Sequence, residues 1–195
     1  MHTYQETFSI KRLWIILSLG MLTMFSVLLF LGAEIYQQAP PIPQQVVAES
    51  GEVLYTKDDI QTGQNVWQSI GGMEQGSIWG HGSYLAPDWS AEWLHREAET
   101  LLKLKLSTPQ SGLSEQQNKT LKQAEMQQEM RTNTYDSSDG TITVSDLRAS
   151  AIKQVQQHFL RLYQGSDPQS LALRRDYAFP VHGIISETEA KQLAS

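Results

Sequence analysis

His81 and His95 stand fourteen positions apart with Asp88 between them, a set of residue types that can hold a metal ion. A catalytic zinc takes three protein ligands at short, geometrically coherent spacing. This pair has neither an H-E-x-x-H pattern nor a third ligand in register, so histidines bonded within a loop are the simpler reading. His158 falls on an apolar helical stripe with Leu147, Ala151, Val155 and Leu162, where a core or interface histidine is expected. His182 follows Phe179-Pro180 and has no partner at ligand spacing. Nucleophilic chemistry has no better footing: there is no G-x-S-x-G, and the chain contains no cysteine. Gly80-His81-Gly82-Ser83 resembles an oxyanion loop, but no partnered serine follows. Gly71, Gly72, Gly76, Gly80 and Gly82 match neither a P-loop nor a dinucleotide fingerprint. Without cysteine there is no disulfide, zinc–thiolate site, iron–sulfur cluster or thioether-linked haem c.

Trp67, Trp79, Trp89 and Trp93 crowd the same region. Burying an indole is worth roughly 2–3 kcal/mol, too much to forgo in an idle loop. Trp67 reads as core. For Trp79, Trp89 and Trp93 two roles stand side by side, core packing and a face turned to a partner or to the membrane surface.

The elements that must hold this loop read as mainly helical. Thr56 with Asp59 forms a capping box that opens a helix bearing Ile60, Gly63, Trp67 and Ile70 on one face. Asp88 or Ser90 caps a second helix toward Leu106, with Ala91, Leu94, Ala98 and Leu101 as its expected apolar side. Ser114 with Gln117 opens a polar helix to about Thr132. TYDSSDG is a turn, and TITVS a short extended piece at most. Ser145 begins a helix that ends near Gly165. Ser186 with Glu189 opens a last helix, which the chain end at Ser195 cuts short. That ending is expected of a polypeptide truncated before a further region.

Before the domain lies LWIILSLGMLTMFSVLLFLG, Leu13–Gly32, without a charge. As a helix it spans roughly 30 Å, one bilayer core. Lys11 and Arg12 precede it and Glu34 follows, so the positive-inside rule puts the N-terminus in the cytoplasm. The expected layout is a cytoplasmic N-terminus over 1–12 and an anchor helix over 13–35. A Pro-rich spacer follows over 36–49, then an extracytoplasmic domain over 50–195. A cleaved signal peptide is the alternative, though Leu31-Gly32-Ala33 is a poor cleavage site. The net charge of −6 gives no support to a nucleic-acid partner.

TGQNVWQSIGGMEQGSIWGHGSYLAPDWSAEWLHRE, Thr62 to Glu97, resembles the N-terminal extracytoplasmic segment of the quinol-dependent nitric oxide reductases. These are single-chain members of the haem-copper oxidase superfamily. The likeness extends over essentially the whole chain and is weakest from about Ser107 to Ser145. It implies a mainly α fold: one N-terminal transmembrane helix, then a cytochrome c-like helical domain without haem c, held at the inner (cytoplasmic) membrane. The stretch is also similar to the small cytochrome c component of the cytochrome-dependent reductases, W-x4-C-x2-C-H-x3-G-x-G-x-Y-x-A-P-[DE]. Laid over that pattern from Trp67, Gly72 and Gln75 take the cysteine positions and Gly76 the proximal histidine position. Gly80, Gly82, Tyr84, Ala86, Pro87 and Asp88 match directly, and Phe179 before Pro180 is the counterpart of the axial methionine.

The resemblance thus implies a retained fold and a lost haem, with electrons entering a catalytic bundle directly from membrane quinol. It implies that Trp79 fills the vacated space. Tyr84 is either a backbone ligand to calcium or a packed interface tyrosine. Trp79, His81, Tyr84, Asp88, Trp89 and Trp93 are the expected interface to the transmembrane bundle. The haems b, the non-haem iron and their histidine ligands would lie in that bundle; none of the five histidines here is assigned to them. The chain therefore carries no catalytic residue of the reaction that turns two nitric oxide molecules into nitrous oxide and water. Two other readings are a freestanding single-pass sensor or adaptor, and a domain that binds haem without covalent attachment.

Overall fold

The computed structural model describes residues 10–38, 40–72, 76–78, 88–108, 110–177 and 186–194. The chain divides into two compact units, one ending at Pro41 and one beginning at Ile42.

The first unit is helix α1, Ile10–Gln38, which encloses the expected span and extends it at both ends. Its apolar side chains are exposed along the whole length. Two of its hydroxyls bond within the helix: Thr23 Oγ1 donates to the carbonyl of Leu19 at 2.9 Å and Ser26 Oγ to that of Leu22 at 2.8 Å. A hydroxyl bonded within its own helix is tolerated in hydrocarbon. By length and composition α1 can cross a membrane, as an anchor or as a signal sequence.

The second unit joins a small sheet to a helical body. Its strands are β1 (Gln45–Ala48), β2 (Val53–Thr56), β3 (Tyr135–Asp136) and β4 (Thr141–Val144), in the order β2-β1-β4-β3. β1 pairs antiparallel with β2 and parallel with β4, Val46 lying opposite Ile142. This corrects one sequence expectation. The spacer expected over 36–49 is helical as far as Gln38 and ends in strand β1, so the unit starts before Ser50. The prolines stop at Pro43, and the β-branched QVVA beyond them finds its partner in TITV almost a hundred residues later. The extended piece TITV is accordingly a full ladder strand.

The helices are α2 (Lys57–Ser69), α3 (Trp89–Leu106), α4 (Glu115–Arg131), α5 (Asp146–Gln164), α6 (Pro168–Asp176) and α7 (Glu187–Ala194). The caps follow the sequence closely. Thr56 and Asp59 make the capping box of α2, Ser114 and Gln117 that of α4, and Ser145 caps α5. Ser186 and Glu189 exchange bonds at the start of α7. Helix α6 was not anticipated, although Asp167 before Pro168 is a sound N-cap followed by proline at N1. Its buried Arg174 donates Nε to the carbonyl of Leu162 at 2.6 Å, tying α6 to the end of α5.

Helix α5 supplies the spine of the core, with Ala151, Ile152, Val155, Phe159, Leu162 and Tyr163 buried along it. One cluster gathers Val155, Phe159, Leu162 and Tyr163 with Trp67, Trp89 and Ala190. A second joins Ala48 and Val144 of the sheet to Ala149 and Ile152. The apolar side of α3 is rotated from its expected position. Leu94 is 48% exposed, while Trp89, Glu97 and Leu101 are the buried positions. A four-residue repeat of Trp89, half-buried Trp93, Glu97 and Leu101 faces α5, and the acidic member hides the pattern in the sequence.

Candidate functional site

Of the positions matched to haem attachment, Gly72 and Gly76 are described and both are buried. Gln75, matched to the second cysteine, and Phe179, matched to the axial methionine, lie outside the described residues, as do Trp79, His81 and Tyr84 of the expected interface. The two sides of the loop are pinned together where they are described. Ser77 and Asp88 form an isolated parallel bridge, and the backbone N–H of Trp89 donates to the carbonyl of Ser77 at 2.9 Å.

Gly72 lies against the indole of Trp67. A Cβ built on Gly72 would stand 2.1 Å from Cδ2 and 2.3 Å from Cε2 of that ring. No real side chain tolerates such a distance, so the indole occupies the space a residue at position 72 would need. Haem c requires thioether cysteines, and the chain has none. With Trp67 in this place, a cysteine side chain at position 72 would not fit either. The residues present do not suit a covalently attached haem.

The rings around Trp67 form a continuous cluster. Trp67 meets Trp89 nearly at right angles with centroids 6.3 Å apart, and Trp89 meets Phe159 similarly at 6.1 Å. Trp93 stacks on Phe159 at 5.2 Å and 13°. Edge-to-face and offset pairs of this kind are worth about 0.5–1.5 kcal/mol beyond burial. Trp67 is core, as expected. Of the two roles open to Trp89, core packing and a partner face, the first is the one seen in this unit: it is 7% exposed and packs on Phe159. Trp93 is half-buried, and its Nε1–H donates to Glu97 at 3.2 Å. Asp88, also placed at the interface, caps α3, its Oδ1 accepting from the N–H groups of Ser90 and Ala91.

Two polar networks flank the rings, and neither was anticipated. Arg148 Nε on α5 donates to the buried Glu97 at 2.6 Å, so this carboxylate is shared between Arg148 and Trp93. On the other side Tyr177 donates its hydroxyl to Glu92, while Arg96 bonds Glu92 at 2.6 Å and Tyr177 at 2.6 Å. Burial pushes the Glu92 carboxyl up, but Tyr177 and Arg96 outweigh it and hold it below its ordinary value. Burial and the bond to Glu92 push the Tyr177 phenol up to about 12. Trp93 with Glu97 and Glu92 with Arg96 are i,i+4 pairs, a signal available in the sequence.

The two histidines among the described residues, His95 and His158, join no group of metal-ligating side chains. His95 is exposed and pairs with Glu99 at 3.5 Å. His158 is half-buried, with Nε2 inaccessible and without a hydrogen-bond partner among the described residues. Burial, and then the charge of Arg96, lower its pKa, which keeps the ring neutral. No group of three or more metal-ligating side chains forms among the described residues.

The chain is one long apolar helix followed by a mainly helical unit with a four-stranded sheet and an aromatic core. Residues 43–195 match the family of the NorB cytochrome c-like domain of nitric oxide reductase, and the chain belongs to that family. Comparison with curated proteins gives no match.

Proposed function

We propose that this chain is the membrane-anchored, haem-free cap of a quinol-dependent nitric oxide reductase. α1 anchors it in the inner membrane with the N-terminus in the cytoplasm, and the unit from Ile42 docks on the outer face of the catalytic bundle. Haem b and non-haem iron belong to that bundle, and electrons reach them from membrane quinol with no relay through this domain. The observation that carries the reading is the absence of any cysteine from a chain of this family, because covalent haem c needs two thioether bonds. Family membership supports the association with a catalytic part.

Co-expression of the full chain with a catalytic bundle tests it. The expected result is a stable complex that co-purifies in detergent, reduces nitric oxide with quinol and shows no c-type haem absorption. Failure to co-purify would overturn the docking role. A freestanding extracytoplasmic sensor is the second reading. It is favoured by the two hydrophobic clusters that the unit possesses on its own, and it predicts an unchanged domain with no complex.

A further inference from the structure

A cavity of about 270 Å³ opens between α2, α3, α5 and α7, with Trp67, Trp89, Trp93, Phe159 and Tyr163 in its wall. An enclosed apolar cavity of roughly 150 Å³ already accommodates benzene, so the space here suffices for a compact ligand. Among the described residues its wall carries one ionised side chain, the carboxylate of Asp59, and no lysine, arginine or histidine. The Asp59 pKa is lowered by hydrogen bonds from Thr56, so the group is charged at neutral pH. Both bonds from Thr56 go to Oδ2, at 2.8 and 2.6 Å, leaving Oδ1 without a donor among the described residues.

Aromatic faces attract cations through their quadrupoles, most strongly when the cation is weakly hydrated and sheds water cheaply. Five aromatic residues and one carboxylate, with no opposing cation among the described residues, suit a methylated ammonium better than an anion. We propose that this cavity binds a quaternary ammonium group such as the trimethylammonium of choline, with the rings as walls and Asp59 as counter-charge. The proposal is independent of the docking role, since it concerns a wall built entirely from this chain.

The test uses the full chain in phosphatidylglycerol nanodiscs, labelled with 5-fluorotryptophan and assigned with Trp→Phe variants. Choline is titrated at constant ionic strength. The expected result is saturable movement of the Trp67, Trp89 and Trp93 fluorine resonances, with Trp14 unmoved. The neutral isostere 3,3-dimethylbutan-1-ol should bind about fivefold or more weakly, because it lacks the cation–π attraction. Asp59→Asn should weaken choline a few-fold. Phosphatidylcholine nanodiscs without free choline distinguish the source: movement of the same resonances there assigns the site to a lipid headgroup, and movement only with free choline to a soluble ligand. Equal binding of the neutral isostere, or no saturable shift in either arm, overturns the proposal.

Discussion

Trp67 and Gly72 form a matched pair: the glycine has no side chain, and the indole takes the space one would fill, 2.1 Å from where Cβ would stand. Gly72→Ala is therefore expected to destabilise the domain by about 1–3 kcal/mol, the usual cost of overpacking. Trp67→Ala should cost about 3–5 kcal/mol by leaving a cavity. The double variant should cost clearly less than the sum, because removing the indole makes room for the new methyl. Urea denaturation of the full chain and its three variants measures this coupling; strict additivity would refute the contact.

Gly63 poses a contest between two effects of known size. In a helix interior Gly→Ala gains about 1 kcal/mol from propensity. At this position a Cβ would lie 2.9 Å from the backbone carbonyl oxygen of Gln192, where α2 meets α7. Backbone cannot yield as a side-chain tip can, so strain of about 1–3 kcal/mol should win. Gly63→Ala is expected to lower the denaturation midpoint and to increase hydrogen exchange in α7 first.

Glu97 is nearly inaccessible and depends on Arg148 for its charge partner. Arg148→Met would leave that carboxylate, among the described residues, with the Trp93 N–H as its donor, which should cost about 3–5 kcal/mol. Adding Glu97→Gln should recover part of the loss, since the buried charge is then gone. If the double variant is as unstable as Arg148→Met alone, the ion pair is not the cause.

Stability should fall on both sides of neutrality, for different groups. The His158 pKa is lowered in the folded state, so its contribution is complete above the unfolded value of 6.5 and is lost as pH falls. Glu92, also lowered, adds a second loss below its ordinary value of 4.5. Tyr177 is raised to about 12, so its contribution is complete below pH 10 and disappears as pH climbs toward 12. In His158→Leu the fall of the denaturation midpoint just below pH 6.5 should be absent. Tyr177→Phe should remove only part of the alkaline loss, because burial raises the phenols of Tyr55 and Tyr163 as well.

What the sequence determined by itself is local. The caps at Thr56, Asp88, Ser114, Ser145 and Ser186 were legible because a short side chain bonds backbone only two or three residues away. The apolar span and the absence of cysteine were equally plain. They bound the chemistry before any fold is known. Tertiary structure decided everything that depends on distant partners. β1 has no identity until β4 lies beside it. The buried face of α3 includes an acid, which becomes intelligible only when Arg148 arrives from α5. Trp89 could have served core or partner, and Phe159, seventy residues on, turned it inward. The pattern around Trp67 named the positions where haem attaches in relatives, but only the folded chain placed an indole in the space above Gly72.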